Sequence, residues 1–155
     1  ILHIAMHAFG KITLFFCAGA IYVAAGKKYI SQMDGLGRRM PITYLAFMLG
    51  SISIIGMPPL GGFISKWNLV LGAVNSDQMI LLLVLLISSL LNAAYFLPIV
   101  YRGFFAKAAD PVYEEGIKEA PLFCLVPLSV TASASLALFF YPDIFVTLAQ
   151  LALFP

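Results

Sequence analysis

Gly56-Met57-Pro58-Pro59-Leu60-Gly61-Gly62-Phe63-Ile64-Ser65-Lys66 interrupts an apolar stretch that runs from Pro41 to about Val74. Consecutive prolines cannot continue an α-helix, because each lacks an N–H and crowds the preceding turn. The stretch is also too long for one straight crossing of a bilayer, which takes about 20 residues. It reads as two half-helices, Ile42 to Ile55 and Leu60 to Val74, hinged on Gly56, Pro58, Pro59, Gly61 and Gly62. Irregular backbone persists at membrane depth only where it lines a protein-enclosed or watery cavity. Lys66 stands just beyond the hinge. A charge inside a spanning segment is costly and marks a functional site by default. A titratable amine beside such a cavity points to ion or proton movement.

The remainder of the chain sets this segment in lipid. Of 155 residues, 62% are hydrophobic and 10% charged, where a soluble domain carries about a quarter charged residues. Polar groups are too few to cover the surface, so lipid is the expected solvent. The apolar runs are continuous rather than alternating, which selects helices over a β-barrel. The expected fold class is an all-α polytopic membrane protein with about four transmembrane segments, the second a broken helix. The segments are Ile1 to Ala25, Pro41 to Val74, Met79 to Tyr101 and Pro121 to Tyr141, in one membrane domain, and a short interfacial helix is expected over Asp143 to Phe154. The chain opens at Ile1, without a methionine and inside an apolar run, so it is expected to be the C-terminal piece of something longer.

Charge placement orients the segments. Lys27, Lys28, Arg38 and Arg39 lie between segments one and two, and Arg102, Lys107 and Lys118 lie at or within the connection between three and four. The Asn75-Ser76-Asp77-Gln78 turn and the tail after Tyr141 carry no lysine or arginine. The basic side is expected to face the cytoplasm, in a bacterial or archaeal cytoplasmic membrane. Asp110, Glu114, Glu115 and Glu119 are read with Lys107 and Lys118 as a solvated polar loop. Cys17 and Cys124 fall in different apolar runs without metal spacing and are read as small core residues. Tyr44 and Trp67 are read as packing or interface anchors.

Segment one carries a second constellation, His3-x-x-x-His7-x-x-x-Lys11. Steps of four advance about 40° and about 6 Å along a helix, so the three side chains form one spiralling stripe roughly 12 Å long. Imidazole gains or loses a proton near neutral pH, and each ring nitrogen can donate or accept. A lone histidine in a helical core is usually a satisfied polar contact, but three titratable groups on one lipid-embedded stripe favour a proton relay. Lys11 precedes Lys27 by about 24 Å of helix and cannot snorkel to that end. Lys66 lies roughly 14 Å of helix before the non-cytoplasmic turn, farther than a lysine stem reaches comfortably. Lysine, unlike arginine, can release its proton. The two histidines also have the spacing of a zinc-protease helix, but Ile4 stands where that motif needs a glutamate base. No catalytic group, metal site or cofactor is expected.

The run His7-Ala8-Phe9-Gly10-Lys11-Ile12-Thr13-Leu14-Phe15-Phe16-Cys17-Ala18-Gly19-Ala20 resembles the antiporter-like proton-translocating membrane subunits. So do Gly35-Leu36-Gly37-Arg38-Arg39-Met40-Pro41 and the hinge stretch from Gly56 to Lys66. This family includes the large membrane subunits of complex I (NADH-quinone oxidoreductase), the Mrp multisubunit sodium/proton antiporters, and membrane-bound hydrogenase relatives. The resemblance covers roughly Ile1 to Phe105 and, in the Ser-Lys-Trp continuation and the Pro-Pro break, is nearest the Mrp D-type subunit. It implies that Lys66 is the proton carrier of the second half-channel, and that His3, His7 and Lys11 belong to the polar stripe leading to it. Some members carry glutamate where Lys66 stands. The family's glutamate–lysine pair and central lysine would lie before Ile1, so the chain is not expected to pump alone.

The implied partners are other membrane subunits of an antiporter or respiratory complex, the lipid bilayer, and protons, with sodium as a candidate coupling ion; nucleic acid is not among them. No quinone, flavin or iron–sulfur motif is present, so any electron chemistry falls to partner subunits. The alternative is a structural membrane anchor that assembles a respiratory or hydrogenase complex without transferring protons.

Overall fold

The computed structural model describes residues 2–107 and 116–153, apart from the side chains of residues 150, 152 and 153. The expected loop acids Asp110, Glu114 and Glu115 lie outside the described residues. The order is α1 (Leu2–Ala25), a 3-10 turn (Ile30–Gln32), α2 (Leu36–Arg39), α3 (Pro41–Ile55), α4 (Gly61–Asn75), α5 (Met79–Phe105), α6 (Leu122–Phe140) and α7 (Asp143–Leu153). Among the described residues, α1, α5 and α6 are long and apolar enough to cross a membrane, and α3 is a shorter apolar helix. The protein is an all-helical polytopic membrane protein. Helices α1, α3 and α6 pack on one another, and α5 packs outside them against α3 and α4.

Tyr44, Leu36, Met40, Cys17, Ala20, Ile21, Leu128 and Ala132 form the core at the basic end of the bundle. Tyr44 is fully buried, its hydroxyl donates to the Met33 carbonyl at 3.2 Å, and its ring meets Phe104 edge-on at 5.9 Å. Gly103 is where α5 comes against that ring, and a Cβ there would overlap the Tyr44 ring atoms. Cys17 is buried and Cys124 half-buried, both as free thiols. Trp67 is largely exposed and stacks on Phe63, as an interface residue would.

The connection between α1 and α3 clasps the basic end of α5. Asp34 pairs with Arg102 at 2.7 Å, Gly35 N–H donates to the Arg102 carbonyl at 3.1 Å, and Arg38 Nε donates to the Phe104 carbonyl at 2.8 Å. A guanidinium over the last carbonyls of a helix satisfies acceptors that have no partner within the helix, and it suits the negative end of the dipole.

Glu119 departs from the solvated-loop expectation. Its carboxylate accepts from the Ile42 N–H and from the Thr43 hydroxyl, the latter at 2.8 Å, and the adjoining Lys118 N–H donates to the Arg39 carbonyl at 2.9 Å. Pro41 suits the first position of α3, where no N–H is needed, but Met40 before it cannot cap. A carboxylate 77 residues beyond Ile42 supplies the missing acceptor. No local pattern announces that pairing. Glu119→Gln keeps the shape and removes the charge facing the helix N-terminus. The first turn of α3 should then open about 1 kcal/mol more easily. Hydrogen exchange at the amides of residues 42–45 measures this, and unchanged protection there would refute the cap.

Candidate functional site

The two halves of the broken segment are locked by their own backbone chemistry. Gly56 adopts φ +86°, which only glycine accepts readily. Its N–H donates to the Ser53 carbonyl at 3.1 Å, and Met57 N–H donates back to the Ile52 carbonyl at 3.1 Å. This doubled pattern ends α3 and satisfies two of its last carbonyls. The Pro58–Pro59 bond is cis. Helix α4 then starts at Gly61, and Gly62 lies so close to α3 that a Cβ would overlap the Ser53 carbonyl.

The Ile55 carbonyl lies outside the doubled pattern, and Lys66 takes it. Lys66 Nζ donates to that carbonyl at 2.9 Å and to Ser89 Oγ on α5 at 2.8 Å. The amine therefore does not snorkel. It joins the negative end of α3 to the middle of α5, and its stem lies against Gly56, where a Cβ would meet Lys66 Cδ at 2.5 Å.

His3 and His7 lie on one face of α1 with their rings stacked at 5.0 Å and 27°. His3 Nδ1 is 3.0 Å from Ser65 Oγ, and Ser65 donates to the Gly62 carbonyl at 3.0 Å. A hydroxyl has one proton, so with Gly62 as its acceptor Nδ1 is the donor to Ser65 and the neutral ring leaves Nε2 free to accept. The stripe thus meets α4 at the residue next to Lys66, through a serine rather than through the lysine itself. Lys11 continues the stripe but is exposed and makes no hydrogen bond to the described residues. With His7 it lines a groove of about 890 Å³ between α1, α3 and α5, whose wall also holds Asn92 and Tyr95 and reaches Lys28.

Deeper in the bundle, serine and threonine hydroxyls pair off. Thr13 and Thr131 lie 2.9 Å apart, and Ser53 and Ser135 lie 3.0 Å apart. These pairs join α1 and α3 to α6 where water cannot serve.

Sequence reasoning found the four titratable groups and the hinge but missed Ser65, Ser89, Asn92 and Glu119. The first was hidden by its place beside a more conspicuous lysine. A signal existed for two others: in the apolar run from Ile80 to Tyr101, Ser88-Ser89 and Asn92 are the polar interruptions besides Tyr95 and the terminal Tyr101. No group of three or more metal-ligating side chains converges among the described residues.

Fold and site together define a polytopic membrane protein that holds ionisable side chains within its helix bundle beside a broken helix. Residues 1–92 match the family described as NADH:quinone oxidoreductase/Mrp antiporter, transmembrane, and the chain belongs to that family. It is 36% identical over 140 residues to NADH-quinone oxidoreductase subunit N of Desulforudis audaxviator, a match covering 84% of this chain and 28% of that protein. It is 29% identical over 154 residues to a Na(+)/H(+) antiporter subunit of Bacillus subtilis, covering 93% of this chain and 19% of the relative. Among solved structures, the Mrp complex from Dietzia contains a chain that superposes with a TM-score of 0.79 at 22% identity, over 90% of this chain and 34% of that one. That likeness is one of fold. The chain spans less than a third of the length of these two curated relatives.

Proposed function

We propose that this chain is the proton-conducting part of a membrane subunit in a multisubunit cation/proton antiporter or a redox-driven proton pump of the cytoplasmic membrane. Lys66 is the proton carrier, and His3, His7 and Lys11 are the relay that serves it. The observation that carries this reading is the setting of the Lys66 amine. It is held between α3 and α5 by two neutral acceptors, the Ile55 carbonyl and the Ser89 hydroxyl, and no carboxylate among the described residues pairs with it. An ammonium committed to structure would be paired with an anion, whereas one that must discharge is better served by neutral partners. The partners are other membrane subunits, and the coupling ion or electron chemistry is theirs to supply.

The test uses the assembled complex containing this chain in inside-out vesicles of a host lacking its own sodium antiporters. The pH gradient is followed on adding sodium. Sodium-triggered proton movement that requires Lys66 establishes antiport. Proton movement driven only by a respiratory substrate assigns the redox-driven pump. An assembled complex in which neither response depends on Lys66 leaves the chain as an anchor.

His7→Ala should slow proton flux while leaving more of it than loss of Lys66 does. His3 remains within reach of Ser65 on one side, and water can bridge the gap left in the groove. Flux equal to that of the unaltered complex would remove His7 from the pathway.

A further inference from the structure

Lys66 has two routes of contact with the polar groups of α1, and they run through different helices. One is the α4 route, in which Ser65 beside it meets His3. The other starts at Ser89, the closer of the two acceptors on the amine. Ser89 lies within α5, 10 residues from its start at Met79, and it is half-buried. A helical serine commonly returns its proton to the carbonyl one turn back, but among the described residues Ser89 enters the hydrogen-bonding pattern only as the acceptor of Lys66. Its own proton is therefore available.

Three residues on along α5, on the same side of the helix, Asn92 lines the groove that His7 and Lys11 also line. A predominantly apolar helix thus places a hydroxyl on the amine and an amide in the groove, one turn apart. A polar side chain in a lipid-embedded helix is costly unless it has a partner. Here the hydroxyl has the amine, and the amide has the groove.

We propose that Ser89 and Asn92 form a proton bridge on α5 between Lys66 and the groove that holds His7 and Lys11. The inference rests on Lys66 being a proton carrier. In the transfer step, an Nζ–H bond of the ammonium breaks as a new O–H bond forms on Ser89. The original Ser89 O–H bond breaks in concert, and that proton passes to a water molecule positioned by the Asn92 amide in the groove. Lys66 is left as a neutral amine, the water becomes hydronium, and the positive charge has moved from α4 into the groove. The reverse sequence reloads the lysine. Neither Ser89 nor Asn92 changes its charge, so both are relay and positioning groups rather than carriers.

Threonine and valine at position 89 provide the test, because they have the same shape and differ by the hydroxyl. Ser89→Thr, Ser89→Val and Lys66→Ala are compared in the assembled complex, with dye-reported proton flux normalised to complex assembled in the membrane. The expected result is near-normal flux in Ser89→Thr, a loss of tenfold or more in Ser89→Val, and abolished flux in Lys66→Ala. The Ser89→Thr complex should keep the solvent deuterium isotope effect of the unaltered one. Equal flux in the threonine and valine variants, whether both high or both low, would overturn the bridge, because the hydroxyl would then be irrelevant. If Lys66→Ala abolishes flux while Ser89→Val does not, the bridge fails and the lysine stands. If flux survives Lys66→Ala, both readings fail. Asn92→Leu serves as an independent check at a position that is not one of the hydrogen-bond acceptors of Lys66, and its flux should fall severalfold. Unchanged flux in Asn92→Leu would end the bridge at Ser89 and overturn the proposal as stated.

Discussion

Replacing Lys66 by alanine should abolish proton flux while the complex still assembles. The amine is held between two helices, with the Ile55 carbonyl and the Ser89 hydroxyl as its acceptors. Alanine leaves those acceptors in place and removes the group proposed to load and release the proton. The gap between Ser65 and Ser89 would then have to be crossed by a hydronium ion in a medium that strongly disfavours isolated charge. A proton-transfer group of this kind contributes typically about 10²-fold to 10⁴-fold, and a loss of at least the lower figure is expected. Assembly should survive, because glycine contacts hold the helices together at the hinge and the core around Tyr44 holds them at the basic end. Lys66→Arg separates charge from chemistry: it keeps a cation and a donor but does not give up its proton. Both variants should therefore be inactive at normal complex levels. Normal flux per assembled complex in either one would sink the carrier role.

Gly62→Ala should have the next largest effect, and for a mechanical reason. The added Cβ would fall onto the Ser53 carbonyl, a backbone atom in the last turn of α3 that cannot swing aside. The start of α4 must then separate from α3. Lys66 lies one turn further along α4, so the separation draws its amine away from the Ile55 carbonyl. Overpacking a tight site costs typically about 1–3 kcal/mol, and the contact here is with rigid backbone, which places the cost at the upper end. The expected outcome is a lower thermal unfolding temperature in detergent together with reduced flux in whatever complex assembles. Gly72→Ala, on the same helix, is the control. A Cβ there has nothing within 4 Å, and alanine in a helix interior should be neutral or stabilise by up to about 1 kcal/mol. If the two substitutions behave alike, close approach at the hinge is not what holds the two half-helices together.

Much of this was legible in the chain itself because membrane folding leaves few choices. Continuous apolar runs dictated helices, and Pro58-Pro59 with flanking glycines dictated the break. Two of the nine lysines and arginines, Lys11 and Lys66, fall outside the basic loops, and their position within apolar helices flagged them. The structure separates that pair: Lys66 is bonded to two helices, while Lys11 faces the groove. Spacing alone put Lys11 on the same stripe as the histidines, but spacing along one helix says nothing about which neighbour each residue meets.

The reading of Glu119 failed for the complementary reason. In sequence it sits among charges in a loop, where a solvated role is the ordinary outcome, yet it caps a helix that begins 78 residues earlier. Ser65 was silent because serine is ordinary in any helix until a titratable group is brought to it, and Ser89, though it interrupts an apolar run, gave no sign of which group it meets.

The sequence by itself determined the helices, their break, and which titratable residues fall inside apolar segments. These follow from local properties: backbone groups that must be satisfied in lipid, a proline that lacks an N–H, and a charge that lipid does not tolerate. Only the tertiary structure decided the partners. It brought Ser65 to His3, Ser89 and the Ile55 carbonyl to Lys66, Arg38 to the end of α5, and Glu119 to the start of α3. Hydrogen bonds act over about 3 Å, and which groups come within that distance depends on how separate helices pack, a property no single stretch of sequence contains.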